Sequence, residues 1–285
     1  MLGKHPKGAY GEGRKGGSTL RIAIHAGGNV DQIVERCREA AVDEIFLDAA
    51  SVPGFAARGH LTPEDFQPFR EILAERNILV SGMIIPKPSR EAVLGQDEKG
   101  CANICQTLRA TGQSGIDTAL FYPLDSFLHF HEYHPGRPLI IMPGEDGWNA
   151  VIEFFRQVVG VTDEVDLKLA NHLWAVDVVH AIWEAVDSPN NGVTYCQGMS
   201  LIGEDPHTPI DTWSIERIFF AHARNQVRRG PCLMDHDEVP LDRGDVDMAR
   251  CVQALTAAKY DGLIAPEHLG PQSMADATAY LRKLI

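Results

Sequence analysis

A short apolar run, a polar loop and a segment of helical periodicity follow one another eight times along this chain, and that alternation narrows the folds open to it. The runs are LRIAIHAG from Leu20, EIFLDAA from Glu44, ILVSGMII from Ile78, TALFYPLD from Thr118, DLKLANHL from Asp166, GVTYCQGMS from Gly192, IFFAHARN from Ile218 and GLIAPEHL from Gly262. Helices are expected over 29–41, 63–76, 97–111, 148–159, 176–186, 245–258 and 273–284. Thr62, with Asp65 three residues on, suits an N-cap, and Gly112 stands where the third of these helices would need a C-cap. The sixth crossover, 203–216, is short. Strands alternating with helices imply a parallel sheet with right-handed connections. Eight such units close into an α/β (β/α)8 barrel, a single domain over 19–285 of a size that one core supports. An open doubly wound sheet is the alternative, but HAGGN after the first run is no GxGxxG fingerprint.

Residues 1–18 carry six glycines and no apolar periodicity, and read as a flexible leader without the apolar stretch of a secretory signal. No run approaches the ~20 apolar residues of a membrane span, so no membrane partner is expected. The formal charge of −13 repels phosphate backbones and argues against a nucleic-acid partner. It leaves an anionic small molecule open, because a local cation in a cleft can override the global field. The cysteines show no CxxC pairing and read as free thiols of a cytoplasmic protein, with one exception.

That exception lies at a strand end, where barrels of this kind keep their chemistry. The ends of the runs offer His25, Asp48, Tyr122, Asp125, Asn171, His172, Cys196, His222, Arg224, Glu267 and His268. A single histidine in a strand is most often structural. Four consecutive strands delivering His172, Cys196, His222 and Glu267 to one end are different, since burying them together costs several kcal/mol unless something pairs them. Imidazole, thiolate and carboxylate are the natural donors of a divalent cation, and neighbouring strands would bring them to one point.

The stretch DSPNNGVTYCQGMS, followed by IFFAHARN, RGDVDM and IAPEHLG, resembles the mannonate dehydratase family, one branch of the xylose-isomerase-like TIM barrels. The resemblance covers roughly 166–270. It implies a hydro-lyase that takes water from an aldonate to give a 2-keto-3-deoxy acid. His172, Cys196, His222 and Glu267 would then hold Mn²⁺, or alternatively Fe²⁺ or Co²⁺, with Glu267 standing where the family usually has Asp. His268 matches a family histidine placed to move protons. His236 is a candidate counterpart of a histidine in the loop before the family's GDVDM. Two departures stand out: Leu173-Trp174-Ala175-Val176 replaces a Pro- and Asp-rich loop, and the chain runs into its last helix, which holds Tyr280, where the family has a tyrosine-bearing extension.

Arg224 suits a clamp for a substrate carboxylate, since a guanidinium binds carboxylates bidentately, with a salt bridge as the plainer reading. The acidic MDHDEVPLDRGDVDM segment reads as a solvated loop before a helix. The histidines of HFHEYH (His129, His131, His134) suit a lid or an oligomer contact better than a second metal. Trp148 and Trp174 could floor a sugar pocket or belong to the core. The partners expected are a small sugar acid or sugar and further copies of the chain in a homo-oligomer. A metal-dependent isomerase or epimerase is the alternative function, and a barrel with a structural metal the third. With no second glutamate evident at a strand end, the lyase is preferred over the epimerase.

Overall fold

The computed structural model describes residues 20–125, 141, 143–203, 205–230 and 235–285. The expected leader, the HFHEYH histidines and Met234, the first residue of the acidic segment, lie outside them.

All eight apolar runs form strands, and the strands close a ring. The first run gives β1 (Arg21–Ile22) and β2 (Ile24–Ala26), followed by β3 (Glu44–Asp48), β4 (Leu79–Ile84), β5 (Thr118–Phe121), β6 (Lys168–Asn171), β7 (Asn191–Cys196), β8 (Ile218–Ala223) and, after an excursion, β11 (Leu263–Pro266). Every pairing among them is parallel and runs between sequence neighbours from β2 to β8. β11 pairs with β8 on one side and with β1 on the other, so the first run lies between β11 and β3 and closes the barrel. Burial on both faces requires near-continuous apolar strands, and β5, β7, β8 and β11 are buried throughout.

Helices form where caps and apolar stripes coincide. α1 (Val30–Ala40) starts at Asn29, whose side chain accepts from the Gln32 amide while Gln32 accepts from the Asn29 amide. After the single turn α2 (Phe55–Arg58), α3 (Pro63–Glu75) begins where the Thr62 amide donates to Asp65 at 2.7 Å. The short α4 (Arg90–Val93) precedes α5 (Glu98–Gln113). Gly112 is no cap: α5 runs through it, its lack of a side chain admits Val165, from which a Cβ would sit 2.4 Å away, and Gly115 takes the left-handed turn at φ 73°. α6 (Trp148–Glu164) outruns its expected end because Val158, Val159, Val161 and Thr162 keep burying a face. α7 (Val176–Ala185) fills the fifth crossover, and α8 (Gln197–Gly203) and α9 (Thr208–Thr212) fill the short sixth. α10 (Met248–Ala257) and α11 (Met274–Leu284) complete the outer layer.

Two apolar layers result. The larger lies between helices and sheet and includes Ile33, Phe66, Leu73, Leu108, Phe155 and Val158. The smaller joins Ala23, Phe46, Leu120, Ala170, Phe219, Phe220, Leu263 and Ala265. In it the Phe46 and Phe220 rings lie 4.0 Å apart, and Phe220 stands 5.0 Å from the His222 ring. Gly82 makes room for this packing, since a Cβ would fall 2.3 Å from the Phe46 ring. The Phe46 and Phe220 rings thus pack beneath His25 and His222.

One excursion is absent from the strand reading. After β8 the chain makes β9 (Asn225–Arg228) and returns as β10 (His236–Val239), an antiparallel ribbon outside the barrel sheet. The acidic segment is therefore a paired strand over part of its length, not a solvated loop. The Asn225 side chain donates to the Leu241 and Val246 carbonyls and anchors the ribbon's base. Among the described residues, no helix is long and apolar enough to cross a membrane.

Candidate metal centre and its acid-base rim

The register of the barrel brings the four strand-end donors together. Cys196, the last residue of β7, lies opposite His222 of β8, and Ala265 of β11 lies on the other side of His222. His172 follows β6 and donates its amide to the Phe121 carbonyl, while the Glu267 amide donates to the Ala223 carbonyl. His172, Cys196 and Glu267 thus continue or end a strand, and His222 stands one residue before the end of β8. One ligand atom from each of His172, Cys196, His222 and Glu267 lies within 4.8 Å of those of the other three.

The immediate contacts are those of groups lacking a common partner. Glu267 Oε1 is 3.2 Å from Cys196 Sγ and 3.3 Å from His222 Nδ1, the latter without hydrogen-bond geometry. Both ring nitrogens of His172 are buried with no hydrogen-bond partner, as is His222 Nδ1. Orphaned buried nitrogens each cost roughly 1–3 kcal/mol, so three of them converging with a thiol and a carboxylate fit a cation. The far nitrogen of His222, Nε2, meets Nε2 of His25 on β2 at 3.1 Å, which turns Nδ1 inward. Tyr122 packs its ring 4.7 Å from that of His172.

Electrostatics tell the same story. Burial, followed by neighbouring positive groups, lowers His172 to about 3 and leaves His222 well below its ordinary value. Burial and then the Glu267 charge push the Cys196 thiol well up, and burial raises Glu267 itself. Every shift favours the uncharged form, which is what desolvation demands of such a cluster on its own. A divalent cation reverses that logic for a thiol and a carboxylate while using neutral imidazoles as they stand.

Beside this quartet lies a second cluster that strand ends alone do not reveal. Its hub is Glu238 of β10. Arg224 holds Glu238 bidentately, with Nε 3.1 Å from Oε1 and 3.3 Å from Oε2 and Nη2 also on Oε1. Gln226 Nε2 donates to Oε1 at 3.2 Å, His236 Nε2 lies 3.4 Å from it, and His268 Nδ1 lies 3.8 Å from it. Arg224 Nη1 reaches to 4.0 Å from Glu267 Oε1 and links the two clusters. Burial opposes the charge on Arg224, but Cys196, Glu238 and Glu267 outweigh it and raise its pKa. The three residues expected to act on substrate, Arg224, His236 and His268, therefore meet at one carboxylate. His236 is nearly buried with a side-chain exposure of 13%, whereas His268, at φ 48°, has 56% of its side chain in solvent.

Other expected residues serve structure. Asn171 donates to Asn191 and to the Gly192 carbonyl, and Asp48 caps the turn after β3. Trp174 is buried in the large core with its ring 6.4 Å from that of His172. Lys87, in the loop after β4, had no place in the strand-end reading. It pairs with Asp125 at 2.6 Å and stands 4.9 Å over the Tyr122 ring, at the edge of the quartet. The signal for Glu238 was present in HDEV: residues two apart share a strand face, so His236 and Glu238 turn one way and Asp237 pairs with Arg229 on the other. The second glutamate missing from the strand ends is thus supplied by the ribbon.

Known proteins agree with this architecture. Mannonate dehydratase from Enterococcus faecalis is 32% identical over 132 residues, 40% of this chain and 36% of that protein. Mannonate dehydratase 2 from Halalkalibacterium halodurans is 29% identical over 141 residues, covering 44% and 41% respectively. The aligned stretches thus span well under half the length of these relatives. The crystal structure of mannonate dehydratase from Streptococcus suis serotype 2 superposes with a TM-score of 0.74 at 17% identity, over 94% of this chain and 93% of that one. A xylose isomerase-like TIM barrel protein from Mycobacterium smegmatis, solved in complex with magnesium, gives 0.67 at 18% identity, over 93% and 96%. The family model described as xylose isomerase-like TIM barrel matches residues 34–284, nearly the whole barrel, and the chain belongs to that family.

Proposed function

We propose that this protein is a metal-dependent hydro-lyase that removes water from a sugar acid, as the mannonate dehydratases it resembles are named for doing. The observation that carries the reading is the quartet of His172, Cys196, His222 and Glu267, with ligand atoms within 4.8 Å of one another and buried nitrogens that have no other partner. These four would hold Mn²⁺, or alternatively Fe²⁺ or Co²⁺, which when bound supplies Lewis acidity for the charge that develops beside the substrate's carboxylate. The remaining chemistry is proton movement. A base takes the proton from the carbon next to the carboxylate, and an acid protonates the departing β-hydroxyl so that it leaves as water. His268 is half in solvent and can exchange protons with it, while His236 is held close to Glu238, so the two histidines suit these paired roles.

The direct test incubates Mn²⁺-loaded protein with a panel of aldonates and follows 2-keto-3-deoxy product. Turnover of at least one aldonate is expected, and none with any aldonate would sink the reading. D-mannonate itself should fall below the common kcat/KM range of about 10⁴–10⁸ M⁻¹s⁻¹. The Pro- and Asp-rich loop and the tyrosine extension are replaced here, and remote contacts of that kind orient the reacting atoms. A second reading, a sugar isomerase or epimerase on the same metal, is favoured by Glu238, because it supplies a second carboxylate beside the quartet.

A further inference from the structure

Besides any ion the quartet holds, a substrate acid gains from a side-chain cation for its carboxylate, and the side-chain cations bordering the quartet are already engaged. Arg224 spends Nε and Nη2 on Glu238, and its remaining nitrogen, Nη1, faces Glu267 at 4.0 Å. Its side chain is 9% exposed, so little of it is left to meet a second carboxylate. Lys87, across the mouth, carries Asp125 at 2.6 Å. Among the described residues beside the quartet, each lysine or arginine thus comes with its own carboxylate, within a chain of net charge −13 that repels anions at long range. The backbone of Glu238 cannot simply retreat. It is paired opposite Gln226, and Gly270, at φ 56°, packs so tightly on the Glu238 carbonyl that a Cβ there would sit 2.4 Å away.

We propose that Glu238 is the residue that sets which substrate class this site accepts, by occupying the guanidinium of Arg224 as an internal carboxylate. An aldonate that is to pair with Arg224 has to displace Glu238, whereas a neutral polyol or ketose meets no such competitor. Charge-assisted hydrogen bonds are stronger than neutral ones, so the competition weighs heavily on anions and little on neutral sugars. The inference rests on the reading of this cleft as a sugar or sugar-acid site, and does not depend on whether the reaction is elimination.

The test compares Kd for D-gluconate with Kd for D-sorbitol, its neutral counterpart of equal carbon number, by calorimetry on Mn²⁺-loaded protein. Glu238→Gln should tighten gluconate about tenfold or more relative to sorbitol, while Glu238→Asp, which keeps the charge, should stay near the wild-type ratio. Adding Arg224→Gln to Glu238→Gln should erase the gain, and thermal melting verifies that each variant is folded. An unchanged or lowered gluconate preference in folded Glu238→Gln overturns the proposal, as does absence of gluconate binding to every variant. Failure of the hydro-lyase reading is seen separately, as no product from wild-type protein, and leaves this ratio legible.

Discussion

The quartet and the Glu238 cluster lie side by side, linked by the 4.0 Å approach of Arg224 to Glu267, yet they are built differently. Three of the quartet's donors continue or terminate strands whose partners are fixed by the closed ring, and beneath them the Phe46 and Phe220 rings pack 4.0 Å apart. Glu238 instead sits on a two-stranded ribbon outside the ring, where side chains hold one another. A two-stranded ribbon is marginal by itself, so the anchoring of Asn225 on Leu241 and Val246 matters to where Glu238 ends up. The fold thus places the four strand-end side chains through backbone register, whereas Glu238 is placed by a side-chain network that can change without touching the barrel.

That contrast can be broken in order of expected effect. His222→Ala removes the central donor of the quartet, and should abolish activity and strip most bound metal, read by metal analysis and turnover. Retention of both would mean that the quartet is not the centre. His268→Ala touches only the rim and should lower kcat by roughly 10²–10⁴ while metal content stays at the wild-type level. Near-normal turnover would remove His268 from the chemistry, and loss of metal would merge the two regions. Phe46→Ala opens a void under the strand ends and should cost about 3–5 kcal/mol in denaturant unfolding. A cost below about 1 kcal/mol would show that the Phe46–Phe220 packing contributes little. Arg229→Ala or Asp237→Ala cuts an exposed pair on the outer face of the ribbon and should change stability by under about 0.5 kcal/mol, with turnover unaltered. A large loss of activity there would mean the ribbon itself, and not only its inner face, positions Glu238.

The same division explains what could be read from the chain. The eight strand runs, and the meeting of His172, Cys196, His222 and Glu267 at one end of them, were legible because most of these strands are buried apolar runs with a polar residue at or next to the end, and parallel neighbours place such ends together. Helix ends were less so. The stop at Gly112 failed because glycine there serves a close approach of Val165, and the early end set for α6 overlooked that its last turn still buries Val161 and Thr162. The ribbon escaped because β10 carries His236, Asp237 and Glu238, residues that suit a solvated loop equally well until a partner strand is known. With it escaped the roles of Glu238 and, across the mouth, Lys87. Arg224 was found, but its salt-bridge partner is nonlocal by fourteen residues and only the pairing register brings Glu238 back to it.

If His172, Cys196, His222 and Glu267 together hold one divalent cation, equilibrium metal binding to the purified chain will show it. Co²⁺ is the useful probe, because a cysteine thiolate bound to it gives an absorption band that oxygen and nitrogen donors do not. About one Co²⁺ per chain is expected, with the thiolate band present in the wild type and lost in Cys196→Ser. Binding of no ion, or of an ion whose spectrum is indifferent to Cys196→Ser, would rule out this set of ligands.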